Sequence, residues 1–182
     1  EPLTVAEVNK YGGVGTENNH VNKNTDESKG TAYDHNGYGG MAYYSSSTCG
    51  YNGSNDEIRD GCTTDYAKSE VKYVVDAWSL DKLKASDLKE DKTGYSARLI
   101  TYNELTSNLG YEKNDLSVPP SSNGETPSWV YNSKYSYWTM SQWGDSTSGV
   151  WSVYHSGYVG SIVVFDGRGS VRPVITIKKS AI

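Results

Sequence analysis

The 182 residues carry 22 acidic against 17 basic side chains, a formal net charge of −5, and only 35% apolar residues, among which 16 Tyr and five Trp stand beside a single Phe. A chain of this length buries most of the surface its unfolded form exposes and folds as one domain, 1–182, without needing staples. Acid and base are interspersed with no basic stripe, and no apolar run is long enough to cross a bilayer, which excludes the usual footprints of nucleic-acid binding and of a membrane span.

The chain starts at Glu1 rather than Met and shows no basic-then-apolar leader, so it reads as a processed or excised piece. Tyr fills volume while keeping a wet hydroxyl, so its excess over Phe suits packed layers close to water or to a polar ligand.

Residues 1–30 open with alternating Leu3, Val5 and Val8, read as an edge strand, and then turn polar and Gly/Asn-rich. Residues 31–62 are Tyr, Gly, Ser and Asn around GYGGMAYYSSS, read as long ordered loop with one strand at most. Within them lie the two cysteines, Cys49 and Cys62, with twelve residues between. That spacing is neither a CxxC redox pair nor a zinc knuckle. A disulfide is the leading reading, with unpaired thiols and a metal or catalytic role as the alternatives. A disulfide closing that loop contributes about 3 kcal/mol by restricting the unfolded chain, and it implies an oxidising, extracellular compartment.

The texture changes at Thr63. In TTDYAKSEVKYVVDAWSLDKL, residues Ala67, Val71, Val74, Val75 and Trp78 fall at helical spacing, with Thr63 or Thr64 as cap and Asp65 in the first turn. A polar connector leads to YSARLIT, a short strand with Tyr95, Ala97 and Leu99 on one side. Thr101 and Glu104 have capping-box spacing for a second helix that buries Leu105 and Leu109 and ends at Gly110. Residues 111–127 hold two Pro in a row and a Ser/Asn/Gly run, a loop.

The strands follow. YSYWTMS, GVWSVYHSG and SIVVFDG alternate or run apolar, Asp166 to Gly169 make a hairpin turn, and SVRPVITIKK closes the chain at an edge or bulge because Pro173 has no amide donor. The expected fold class is α+β: two helices and a C-terminal antiparallel β-meander, with 1–62 as a loop-rich part packed on 63–182. Alternation puts Trp138, Met140, Trp151 and Val153 on the inward side. Tyr135, Tyr137, Tyr154 and, in loops, Trp143, Asp145, His155, Tyr158 and Arg168 are then the outward, ligand-binding candidates. Exposed Tyr and Trp beside Ser, Asn and Gly is the composition of a paratope. The alternative is that the Tyr-rich N-terminal segment simply covers this face.

The pieces VVDAW, ARLITYNEL, YWTMS, VWSVYHSG and the terminal VRPVITIKKS together resemble the closing part of bacterial C-type-lectin-like domains. That group includes formylglycine-generating enzymes and the variable ligand-binding proteins of diversity-generating retroelements. More narrowly, the chain is similar to a domain of bacterial secreted and surface proteins, some carried behind a pilin-like helix. The resemblance covers residues 63–179 and implies an antiparallel sheet supporting loops that make a binding surface. Two departures limit it. The copper-binding cysteine pair of formylglycine-generating enzymes has no counterpart, since no Cys follows Cys62. Neither the EPN or QPD triplet nor the WND of calcium-dependent sugar-binding lectins occurs, and SQWGDS at 141–146 is only faintly similar to the second.

No nucleophile elbow, HExxH or P-loop is present. His20, His35 and His155 are scattered, the glycine clusters at 11–15 and 37–40 read as turns, and no carboxylate pair is singled out. The acidic stretches 34–37 and 52–60 lack the ligand rhythm of a calcium loop, so no cofactor is expected, with Ca²⁺ the one candidate they admit. The expectation is therefore a secreted or cell-surface, non-enzymatic domain whose partner is a protein or glycan. The alternative is a globular head in a pilus or other filament, and a formylglycine-generating-type enzyme is disfavoured.

Overall fold

The computed structural model describes residues 1–12, 33–35, 38–44, 48–51, 57, 58, 60–108, 130, 135–155, 158–167 and 169–182. Among these residues three α-helices, α1 (Val5–Gly12), α2 (Glu70–Lys82) and α3 (Tyr102–Asn108), accompany short antiparallel ladders, an α+β arrangement. The largest ladder joins β6 (Tyr137–Gln142), β7 (Gly149–Val153) and β8 (Val159–Val163) in that order.

The register of this ladder decides what each face carries. Tyr137 pairs with Val153 and Trp138 with Ser152, while Val150 faces Ile162 and Val153 faces Val159. Because side chains alternate with period two, Trp138, Val150 and Ile162 share one face, and Tyr137, Trp151, Val153 and Val159 share the other. The expectation that the indoles of Trp138 and Trp151 line one inward face is thereby corrected: they stand on opposite faces. Both faces are covered. The first packs into a cluster with Val71, Val74, Val75, Leu99, Met41 and Tyr43, the second into one with Ile100, Leu105, Val130 and Tyr135. A sheet buried on both sides shows no polar face to reveal its period.

α2 supplies the first layer. Val71, Val74 and Val75 make the buried stripe that the spacing predicts, with Trp78 partly buried beside it. Its cap is Ser69, whose Oγ accepts from the Lys72 amide at 3.1 Å, rather than Thr63 or Thr64. Asp65 instead caps a preceding 3₁₀ turn, Tyr66–Lys68, by accepting from the Ala67 amide at 3.0 Å. The two Thr are engaged elsewhere, Thr63 with the Asp65 amide and Thr64 with the Ser146 carbonyl.

The N-terminus is a helix, not the expected edge strand. Thr4 and Glu7 form a reciprocal capping box: the Thr4 amide donates to Glu7 Oε2 at 2.9 Å and the Glu7 amide to Thr4 Oγ1 at 3.3 Å. Val8 and Tyr11, three apart on α1, are buried. Two short hairpins, β1 (Tyr33–His35) with β2 (Tyr38–Gly40) and β3 (Gly50–Tyr51) with β4 (Glu57–Ile58), stand where loop was expected. Met41 and Tyr43 lie at the centre of the core. The Tyr43 carbonyl accepts from the Glu70 amide at 3.0 Å, and the Tyr44 amide donates to the Val164 carbonyl at 3.0 Å, so this segment runs between α2 and the sheet. Cys49 and Cys62 are joined in a disulfide, the first of the three readings.

The closing segment departs from the expected meander. After a turn in which the Asp166 amide donates to the Val163 carbonyl, Ser170 lies between Gly40 and the start of β6, bridging both. The chain then forms β9 (Val174–Ile175), which pairs with β5 (Ala97–Arg98) and not with β8. Pro173 directly precedes this two-stranded edge ladder, where its missing donor costs nothing. Leu109, Gly110, the 111–127 loop, Trp129, Arg168, His20 and most of the 52–60 acidic stretch lie outside the described residues.

Candidate binding site

Between β6 and β7 the chain turns through Trp143, Gly144 and Asp145, and local hydrogen bonds hold the turn in one shape. The Trp143 amide donates to the Gly149 carbonyl and the Ser146 amide to the Trp143 carbonyl, both at 3.0 Å. Ser146 Oγ accepts from the amides of Ser148 (3.2 Å) and Gly149 (2.8 Å), and Gln142 Nε2 donates to the Ser146 carbonyl at 2.7 Å. Gly144 has φ +52°, the left-handed region glycine adopts without strain. A Cβ on Gly149 would sit 3.1 Å from Trp143 Cε3, so the indole rests against bare backbone there. It is nevertheless 46% exposed. Asp145, beside it, is exposed.

Behind this turn β6 is irregular. The ladder shifts register between Trp138 and Gln142, and at the irregularity the Met140 amide donates to the Ile100 carbonyl at 2.9 Å. Ser141 Oγ accepts from the Tyr102 amide at 2.9 Å, tying β6 to the first turn of α3. Tyr102 stacks on Trp151 with ring centroids 4.4 Å apart. A cleft of about 280 Å³ opens here, lined by polar side chains from three segments: Lys92 and Thr93, the α3 turn with Thr101, Asn103, Glu104 and Ser107, and Ser141.

One wall is fixed by Arg98, whose side chain is only 5% exposed and donates four hydrogen bonds. Nε and Nη2 meet Asp91 Oδ2 at 2.8 and 2.7 Å, Nη1 and Nη2 meet the two oxygens of Glu104 at 2.9 and 2.7 Å, and Nη1 also donates to the Leu99 carbonyl at 2.9 Å. Glu104 Oε2 also accepts from the Thr101 amide at 2.8 Å and hydroxyl at 2.9 Å, and Thr101 Oγ1 accepts from the Glu104 amide at 3.1 Å, so the capping box predicted for α3 is complete. Burial raises the cost of ionising both carboxyls. The bonds from Arg98 and Thr101 to Glu104, and from Thr93 and Arg98 to Asp91, outweigh it and hold both below the ordinary carboxylate range. An ionised carboxylate so committed is a positioning group, not a proton donor at neutral pH.

The remaining expected ligand contacts sit at the other end of β7. Tyr154 and Tyr158 stack at 4.2 Å over Gly160, where a Cβ would meet Tyr158 at 2.9 Å, and the Tyr154 hydroxyl donates to the Ser161 carbonyl at 2.7 Å. The exposed His155 donates its amide to Ser136 Oγ at 3.0 Å. Tyr135 and Tyr137, expected to face outward, are each 2% exposed and belong to the second core cluster. The Tyr137 hydroxyl donates to the Val130 carbonyl at 2.6 Å, Arg172 Nη1 donates to the same carbonyl at 3.2 Å, and the Arg172 guanidinium lies 4.9 Å from the Tyr137 ring centroid. Their role is structural, because the register turns them toward α3. The strand β7, five residues long, separates the Trp143 turn from the Tyr154 turn by about 17 Å. The expected residues therefore form two sites and not one face.

Sequence reasoning missed Lys92, Asn103, Ser107 and Ser141, and the only signal pointing toward them was the Thr101–Glu104 spacing, which places this turn of α3. Among the described residues no three His, Cys, Asp or Glu side chains gather as they would around a metal ion. No protein-family model, curated protein or solved structure matches this chain.

Proposed function

We propose that this chain is a non-enzymatic extracellular or cell-surface domain of C-type-lectin-like type that recognises a protein or glycan through the end of the sheet carrying Trp143. The observation that carries the reading is an indole 46% exposed on a turn pinned by its own hydrogen bonds. An aromatic anchor held rigid before binding loses little entropy when a partner covers it. The committed state of Asp91 and Glu104 supports binding over catalysis, and the disulfide, together with the lack of any helix long and apolar enough to cross a membrane among the described residues, is compatible with an extracellular setting.

A glycan and protein array tests this, with Trp143→Ala and Tyr154→Ala alongside the wild type. Loss of the Trp143 anchor weakens every true hit about thirtyfold with the melting temperature unchanged, while Tyr154→Ala binds as the wild type does. Equal binding by the wild type and Trp143→Ala on all hits overturns the reading.

The second reading, a filament head, draws on Ile175 and Ile177, which are 38% and 40% exposed along the C-terminal edge. Ordered, concentration-dependent assembly abolished by Ile175→Lys favours it over the first.

A further inference from the structure

We propose that the outer edge of the strand formed by residues 174–178 takes up a short, acidic, extended peptide as an added β-strand. This site lies on other elements than the Trp143 turn and does not rest on the reading above.

Hydrogen-bond direction carries the first part. In a strand the N–H and C=O of one residue point to the same side, and successive residues alternate. The Thr176 amide donates to the Ser96 carbonyl at 2.9 Å, the Thr176 carbonyl accepts from the Lys89 amide at 3.0 Å, and the Lys178 amide donates to the Asp87 carbonyl at 2.9 Å. Thr176 and Lys178 therefore turn toward β5 and residues 87–89, where Ile175 lies opposite Ala97 and Ile177 opposite Leu88. The amides and carbonyls of Ile175 and Ile177 point the other way and have no hydrogen-bond partner among the described residues. Two donors and two acceptors thus stand in a row on an open edge, the template for a further strand. The two Ile side chains share one face by period two and are 38% and 40% exposed.

Charge selects what pairs there. Lys178 and Lys179 stand at the end of the strand, and Lys84 and Lys89 flank the 85–88 segment beside it, all four exposed. Against them stand the exposed Glu90 and the half-buried Asp87, while Asp91 is committed to Arg98. The edge is basic on a chain whose net charge is −5. A second copy would bring the same lysines to the same edge, so self-pairing is opposed, whereas carboxylates on an incoming strand are attracted. Length is limited too: Pro173 has no amide to offer, and the 3₁₀ turn Lys179–Ala181 ends the strand.

An antiparallel partner meets these groups in one order. The residue opposite Ile177 and the one two places later, opposite Ile175, each exchange both backbone bonds and lay their side chains beside the Ile pair. The two preceding residues arrive opposite Lys178 and Lys179. The fitting sequence is therefore acid, acid, aliphatic, any residue, aliphatic.

The test is amide chemical-shift titration and hydrogen exchange of the whole chain with the capped peptide Asp-Glu-Val-Thr-Val-Ser. The Ile175 and Ile177 amides are expected to shift saturably and to exchange more slowly when bound, whereas those of Thr176 and Lys178, already bonded, change little. N-methylation of both peptide Val amides removes the donors that face the edge and should weaken binding at least about tenfold. Lys179→Glu should weaken it about threefold with an unchanged melting temperature. The proposal is overturned if the peptide does not saturate, or if the N-methylated form, a Lys-Lys-Val-Thr-Val-Ser peptide or the Lys179→Glu variant binds equally well. It is also overturned if the Ile175 and Ile177 amides shift with protein concentration alone, which would assign the edge to a second copy.

Discussion

The indole of Trp138 lies flat against Gly169: a Cβ built on that glycine would stand 2.3 Å from both Cε2 and Nε1. The same indole donates from Nε1 to the Met41 carbonyl at 2.9 Å and meets Tyr43 edge-on with centroids 5.6 Å apart. One fully buried side chain thus joins β6, the N-terminal segment and the crossing that follows β8. Replacing Gly169 with Ala forces a methyl into space the ring occupies, and overpacking of this kind costs about 2 kcal/mol. Urea unfolding of Gly169→Ala should show that loss. Gly144→Ala, where the added methyl meets nothing within 4 Å, tests backbone strain alone and should cost about 1 kcal/mol. Wild-type stability in Gly169→Ala would mean the indole is not seated there.

The Arg98 network should make stability depend on pH in the acid range. Asp91 and Glu104 are both held below their ordinary values of 3.8 and 4.5 in the folded chain, so the unfolded chain takes up their protons first as pH falls. Stability from these groups is complete above the ordinary values and is lost as pH drops through the lower, folded ones. Glu104→Gln leaves the buried guanidinium short of a counter-charge. A loss of about 3 kcal/mol at neutral pH is expected, with a shallower decline between pH 5 and 2 in denaturant titrations repeated across that range. A variant with the wild-type slope would assign the acid sensitivity to other carboxylates.

The disulfide closes a span of 13 residues and ties the β3–β4 hairpin to the turn before α2. Loops of that length contribute about 3 kcal/mol when closed. The double variant Cys49→Ala, Cys62→Ala should melt lower by about 6–12 °C, and reduction of the wild type should reproduce most of the change in scanning calorimetry. A melting temperature insensitive to reduction would show that the hairpin is held by packing alone.

Several elements were written locally and read directly. The Val71, Val74, Val75 stripe specified α2 because helix period and burial coincide there, and the Thr101–Glu104 spacing specified the start of α3 because a capping box is closed within one turn. Thr4 and Glu7 have the same spacing and close the same box, but the segment was read from Leu3, Val5 and Val8 alone, whose alternation pointed to a strand. Polar spacing across a single turn was the better guide, since its partners are fixed by the backbone alone.

What the amino-acid order determined by itself was the α+β composition, the two later helices, the cysteine pairing as the leading choice and the three strands of the β6–β7–β8 ladder. What only the tertiary structure decided was which side of the sheet each aromatic occupies. A pairing of Trp138 with Ser152 sends Trp151 to the opposite face, and a shift of one residue would have reversed it. Nothing in the strand sequences distinguishes the two registers, because both faces are buried and both accept rings. The gathering of Lys92, Asn103, Ser107 and Ser141 from three segments is tertiary too, since a short-range pattern holds no information about chains that meet across a fold.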